Sequence, residues 1–221
     1  MNRSEIKTRI KDKIDDLSDD GTFFTDAQLD ELVDEAQELL CGETKSVHRT
    51  VFVPIRPGGQ FLYLPAIAPD IMLPVRIFNN ANDYRLQVTS INNLGSFHQK
   101  WPTVTGSDPQ FWFTVSWDII GLFPRPVAGA GTLRLDYVAW PRALNDDDDS
   151  PEIMQASHDA LVLFGAYLGE LKKWNAISAG NFFQQLKQHS MFADGRSNVG
   201  KIVHRTFNRT GPQNRSEYSQ R

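Results

Sequence analysis

Histidine, cysteine and clustered acids are the raw material of most catalytic and metal sites, and their spacing in this chain does not assemble one. The five histidines, His48, His98, His158, His189 and His204, lie 50, 60, 31 and 15 residues apart, with no HxxxH-type ligand pair among them. Ser157-His158-Asp159 lines up the three residue types of a hydrolytic triad. Consecutive residues on a helix point in different directions, however, and cannot converge as nucleophile, base and orienter. The single cysteine, Cys41, has no internal disulfide partner and reads as a small packed apolar residue beside Gly42. Glycine-rich stretches at 57–59 and 128–131 lack the GxxxxGK[ST] pattern and do not open a helix after a strand, so no phosphate cradle is expected. The run Asp146-Asp147-Asp148-Asp149 could attract a divalent cation, but it lacks the alternating ligands, central glycine and terminal glutamate of an EF-hand. It reads as a solvated loop whose charge suits the start of the helix that follows it. The sequence therefore predicts no catalytic residue, no metal and no cofactor.

The aromatic residues allow a different chemistry. Trp101, Trp112, Trp117, Trp140 and Trp174 could stack on sugars, yet four of the five fall in strand-like sequence where such residues fill cores and subunit interfaces. A carbohydrate-binding or tail-fibre-type β-sandwich module is the alternative function, and a small hydrolase is a second rival. The final segment, 195–221, is of another kind. It carries six bases against Glu217 alone, with Val199, Ile202, Val203, Phe207 and Tyr218 as its few apolar anchors. Such a stretch orders on a partner, and Lys201 to Phe207 has the β propensity to add a strand or lie in a groove.

Helical pattern at both ends of the chain encloses a strand-rich middle. Ile6, Ile10, Ile14 and Leu17 recur at helical spacing, and Asp20-Gly21 fits a turn into a second helix. Thr25 is placed to cap that helix, with Gln28 as its capping-box partner and Phe24 as a staple onto Leu29. Leu29, Leu32, Val33, Ala36, Leu39 and Leu40 form its apolar stripe, and Gly42 is the expected stop. Ser150-Pro151-Glu152 announces a third helix running from Ile153 to Trp174, apolar over so wide an arc that it must be central. A fourth is expected from Ser178 to Phe192, with Phe182, Phe183, Leu186 and Met191 as its apolar residues.

Between the helical blocks the period becomes two, in runs such as Val51-Phe52-Val53, Phe61-Leu62-Tyr63 and Phe111-Trp112-Phe113. Short strands punctuated by Pro and Gly predict an antiparallel sandwich or barrel. The expected organisation is a discontinuous helical bundle domain over 1–45 and 146–194, an antiparallel β insertion domain over 46–145, and an extended basic arm over 195–221.

The net charge of −4 hides an asymmetry: residues 1–50 hold 13 acids against 7 bases, while the arm is basic. Ends of opposite sign favour attraction to a partner or between copies. No apolar run approaches the roughly 20 residues of a membrane span, and the charged Met-Asn-Arg-Ser start lacks a signal-peptide core, so no membrane association or export is expected.

Three passages together resemble the head-to-tail adaptor family of tailed bacteriophages, also called head completion or neck connector proteins. They are Phe23-Phe24-Thr25-Asp26-Ala27-Gln28-Leu29 at the second helix start, Leu62-Tyr63-Leu64-Pro65 in the strand block, and Tyr137 to Leu144 followed by an acidic loop and Pro151-Glu152-Ile153. The resemblance implies a four-helix bundle carrying a β-sandwich insertion, and a structural virion protein of the neck, made in the host cytoplasm, rather than an enzyme. It implies a dodecameric ring that docks on the portal protein, meets a nozzle or tail-tube protein below, and encloses a channel through which genomic DNA passes without specific binding. The docking arm would use Lys201, Ile202, Val203, His204, Arg205, Phe207, Arg209 and Tyr218. Acidic helices lining such a channel would repel the DNA backbone and let it slide.

Overall fold

The computed structural model describes residues 1–15, 23–127 and 131–189. Among them are six α-helices: α1 (Arg3–Lys13), α2 (Asp26–Thr44), α3 (Leu64–Ile67), α4 (Ile91–Phe97), α5 (His158–Lys172) and α6 (Ala176–Gln188). The chain divides into two compact units, one made of Met1–Thr44 with the chain from Arg142 onward, the other of Lys45–Pro141.

The first unit is built on α5. Ala160 through Ala166 and Leu168 through Glu170 are all buried, and α1, α2 and α6 each pack on this helix. Small residues set the approach distances. A Cβ on Gly165 would stand 2.4 Å from Ile10 Cδ1, and one on Gly169 would meet Ile14 and the Phe24 ring. Ile6, Ile10 and Ile14 of the α1 stripe are accordingly buried, as are Leu29, Leu32, Val33, Ala36 and Leu40 of α2.

The starts of α1, α2 and α6 carry side-chain caps that satisfy part of their orphan N–H groups. Asn2 Oδ1 accepts from Glu5 N at 2.9 Å and Glu5 Oε2 from Asn2 N at 3.2 Å, a closed capping box on α1. At α2, Thr25 N donates to Gln28 Oε1 at 2.9 Å and Gln28 N to Thr25 Oγ1 at 3.3 Å. Asn175 caps α6, its Oδ1 accepting from Ser178 N at 3.3 Å.

Several boundaries depart from the sequence reading. α2 runs through Gly42 to Thr44, and Lys45 at φ 52° takes the left-handed position expected of a glycine. Leu39 is 42 % exposed rather than part of the buried stripe. Ser150 and Pro151 do not start the third helix. The chain stays non-helical through Met154 at ψ 138°, makes a 3₁₀ turn over Gln155–Ser157, and enters α5 at His158. Glu152, expected in the first helical turn, instead accepts from Arg142 N at 3.2 Å. The fourth helix begins two residues early, at Ala176, and Met191 and Phe192 lie outside the described residues.

The second unit contains β1 (His48–Pro54), β2 (Phe61–Tyr63), β3 (Ile71–Asn79), β4 (Tyr84–Arg85), β5 (Gln87–Thr89), β6 (Thr105–Gly106), β7 (Phe111–Thr114), β8 (Ile119–Phe123), β9 (Arg125–Pro126) and β10 (Thr132–Ala139). One sheet has the order β1-β10-β3-β4 and is antiparallel throughout. A second has the order β2-β8-β7-β5, and β6 pairs with β9 alone. The expectation of purely antiparallel pairing fails at β5–β7 and β6–β9, which are parallel. A parallel pair needs a long crossover, and α4 with the turns after it supplies one between β5 and β7. Neither α3 nor α4 was evident in the alternating pattern.

Phe113, Leu94 and Phe123 form a buried cluster in this unit, with Trp101 edge-on to Phe113 at 5.2 Å between ring centroids. Gly121 makes room for it: a Cβ there would lie 2.2 Å from Phe113 Cζ. The fully buried Asn79 is satisfied, donating to Asp108 Oδ1 at 3.1 Å and accepting from Ala81 N at 3.0 Å.

Gly121→Ala and Gly165→Ala should each lower stability by about 1–3 kcal/mol, the ordinary cost of overpacking a closed core. Gly180→Ala, at a helical glycine with open space around its Cβ, should be neutral or slightly stabilising. Denaturant titration of the three variants checks this ordering, and equal midpoints would refute it.

Candidate interaction surfaces

His158 and Asp159 have separate local partners. His158 is buried at the start of α5 with Nδ1 3.0 Å from the Met1 nitrogen and Nε2 3.3 Å from Ile153 O. Asp159, next in sequence, turns the other way and pairs with Arg9 at 3.0 Å. Ser157, His158 and Asp159 therefore do not converge. Among the described residues no group of three or more His, Cys, Asp or Glu side chains gathers as a metal site. No described helix is long and apolar enough to cross a membrane.

The acidic run serves a helix other than the one expected. Arg3 N and Ser4 N, at the start of α1, donate to Asp149 O at 2.9 Å and Asp147 O at 3.1 Å. Asp147 Oδ1 binds Lys7 Nζ at 2.7 Å, and Asp149 Oδ2 accepts from Asn145 N and Asp146 N. The loop thus caps α1 with carbonyls and negative charge, where the macrodipole favours them. Lys7 also reaches Asp30 at 2.9 Å. Burial opposes its charge, but the Asp147 and Asp30 bonds outweigh burial and hold its pKa above the ordinary lysine value.

This network consumes much of the acidity that made the first 50 residues stand out. Asp30 and Asp34 face the buried Arg3, Asp26 pairs with Lys11, and Glu35 with Lys172. Among the described residues Glu31 and Glu38 stand exposed on α2 outside these pairs. The basic arm, with Lys201, Ile202, Val203, His204, Arg205, Phe207, Arg209 and Tyr218, lies outside the described residues.

What remains are apolar surfaces that the fold leaves uncovered. Trp112 is 4 % exposed and belongs to the core, whereas Trp117, between β7 and β8, is 89 % exposed. At the α5–α6 turn Trp174 is 94 % exposed and Ile177 is 80 % exposed. Trp174 occupies the left-handed position that closes α5, at φ 60°, with Asn175 N donating back to Glu170 O at 2.9 Å. A glycine would hold that conformation without steric cost, so a bulky, solvent-facing tryptophan there contributes nothing evident to folding. Helical periodicity continues through Trp174, so the sequence alone does not reveal this knob.

In the strand unit a groove of about 410 Å³ opens between β1 and β2, with Val53, Ile55, Leu62, Leu122 and Leu133 along it. Phe52, Phe61 and Tyr63 stand at its rim, each more than half exposed. Alternation in the sequence marked these residues as strand but could not say which edge stays open.

Both units have internal caps and ion pairs, and large apolar side chains stand exposed at turns and sheet edges. The model of the SU10 adaptor protein family matches residues 1–212, spanning both units, and the chain belongs to that family of phage head-to-tail adaptors. No curated protein matches the chain.

Trp174→Gly should leave the fold intact and raise stability by about 1 kcal/mol through relief of the left-handed residue. A lowered denaturation midpoint would show that the indole supports the monomer. Just below neutral pH, the pH dependence follows from His158. Burial lowers the His158 pKa below its ordinary 6.5. The unfolded chain then binds the extra proton first, so stability is full above 6.5 and declines as pH falls through the folded value. Denaturation midpoints should drop between pH 7.5 and about 5.5, above the carboxylate range, and His158→Gln should flatten that drop.

Proposed function

We propose that the chain is a structural, non-enzymatic virion protein of the phage neck, an adaptor ring joining the portal to the tail and enclosing the DNA channel. The observation that carries this reading is the family match across 1–212, which takes in both compact units and most of the basic segment together. In this proposal the helices around α5 act as a bundle that packs side by side in a dodecamer, and the strand unit is a sandwich-like insertion that enlarges the ring's surface. The arm at 195–221 docks on the portal. Its interface energy comes from Ile202, Val203, Phe207 and Tyr218, while Lys201, His204, Arg205 and Arg209 orient it. A nozzle or tail-tube protein binds on the other side.

The exposed knob at Trp174 and Ile177 supports side-by-side assembly, since tryptophan is enriched among the residues that anchor protein interfaces. Glu31 and Glu38 on the outer face of α2 supply the negative charge that a sliding surface for DNA needs. No cofactor enters the proposal.

Purified chain mixed with portal protein and examined by native mass spectrometry should give a ring in portal stoichiometry. Removing 195–221 should reduce portal affinity by at least about tenfold, with no change in the denaturation midpoint of the rest. Trp174→Gly should weaken assembly while the monomer stays folded. Portal affinity unchanged by the truncation would sink the docking role, and a strictly monomeric species on the portal would sink the ring.

A further inference from the structure

The two edges of the groove have a readable hydrogen-bond register. In β1, Ile55 N donates to Gly131 O at 3.1 Å and Val47 O accepts from Ala139 N at 2.9 Å. Odd-numbered residues of β1 therefore exchange bonds with β10, and the even-numbered His48, Thr50 and Phe52 turn N–H and C=O away from it. Pro54, with no N–H to offer, falls on the outward set, which is where an edge strand tolerates proline. In β2, Gln60 O accepts from Leu122 N and Leu64 N donates to Asp118 O, both at 2.8 Å, which leaves Phe61 and Tyr63 turned outward. Both strands end their sheets. Among the described residues the outward backbone groups of Phe52 and Phe61 meet no partner.

These edges and the apolar groove form one mouth, with Arg56 beside it. Arg56 is exposed and makes no ion pair among the described residues. Three requirements follow for an occupant: main-chain donors and acceptors at a two-residue period, apolar groups directed at the groove, and negative charge. A helix uses its own backbone groups internally and fails the first. A compact small molecule cannot repeat them. An extended chain meets all three.

We propose that this mouth captures an extended peptide segment of a partner protein by strand addition, with apolar side chains at alternate positions and a carboxylate on Arg56. The inference stands on the strand unit alone and does not depend on the adaptor reading.

The probe is a fluorescein-labelled decapeptide of alternating valine and threonine with one central aspartate, titrated into the full chain and followed by fluorescence polarisation. Binding should weaken at least about tenfold when alternate amides of the peptide are N-methylated. It should weaken as much in Phe61→Pro, which removes one outward N–H at a position where an edge strand accepts proline, while Phe61→Leu retains most of it. Arg56→Gln should weaken the aspartate peptide and leave a lysine-containing counterpart unchanged. No binding at millimolar protein, or binding indifferent to N-methylation, overturns the proposal. Self-association of the chain that Phe61→Pro abolishes would assign the edge to a second copy and overturn the stated occupant.

Discussion

The constraint on which the first unit depends is the burial of α5 on nearly every side. A helix with so little solvent-facing surface cannot stand alone and cannot be covered by α6 alone. The missing cover comes from α1 and α2, more than a hundred residues earlier, and the fit is set by Gly165 and Gly169 against Ile10, Ile14 and Phe24. Everything from Lys45 to Pro141 therefore leaves and re-enters a unit that is complete without it. The re-entry is fastened by polar groups. Buried Gln37 donates to Arg142 O at 2.8 Å, Asp34 accepts from Leu144 N at 3.2 Å, and the acidic loop closes over the start of α1.

That arrangement explains which elements could be read in the sequence. The stripes of α1 and α2 are legible because a helix covered on one side must repeat its apolar residues every three to four positions. The central place of α5 is legible for the opposite reason, its lack of a polar face. Its start is not, because Ser150-Pro151-Glu152 has the composition of a helix start while its groups are engaged elsewhere. Cap chemistry identifies a turn that needs partners, not the element that follows it. The strands were legible by period, but the parallel pairing of β5 with β7 depends on where the chain after α4 returns. No local pattern encodes that.

The surfaces were less legible than the fold. The acidic excess of the first 50 residues suggested attraction to a partner or between copies, yet Asp26, Asp30, Asp34 and Glu35 are neutralised within the unit. Composition counts charges and cannot say which are already paired. Trp174 was hidden for a related reason: apolar residues near a helix end look like the last turn of a buried stripe until the backbone conformation is known. At β1 and β2 the alternation is real, but the open edge is a property of sheet order, which only the assembled unit possesses.

The placement of the uncovered groups bears on what stability means for this chain. Within each unit some demanding positions are met with small or satisfied residues: glycine under Phe113, glycine against Ile10, and hydrogen-bond partners for fully buried Asn79. The same economy is absent at Trp174, where a left-handed backbone carries the largest side chain, and at β2, where Phe61 and Tyr63 flank an unpaired edge. Such groups weaken or leave unchanged the isolated monomer and gain only when something covers them. A partner that binds only the folded chain stabilises it by mass action, in proportion to the logarithm of its concentration over Kd. Any partner that covers Trp174 or the β2 edge would therefore add to the stability that the two cores supply.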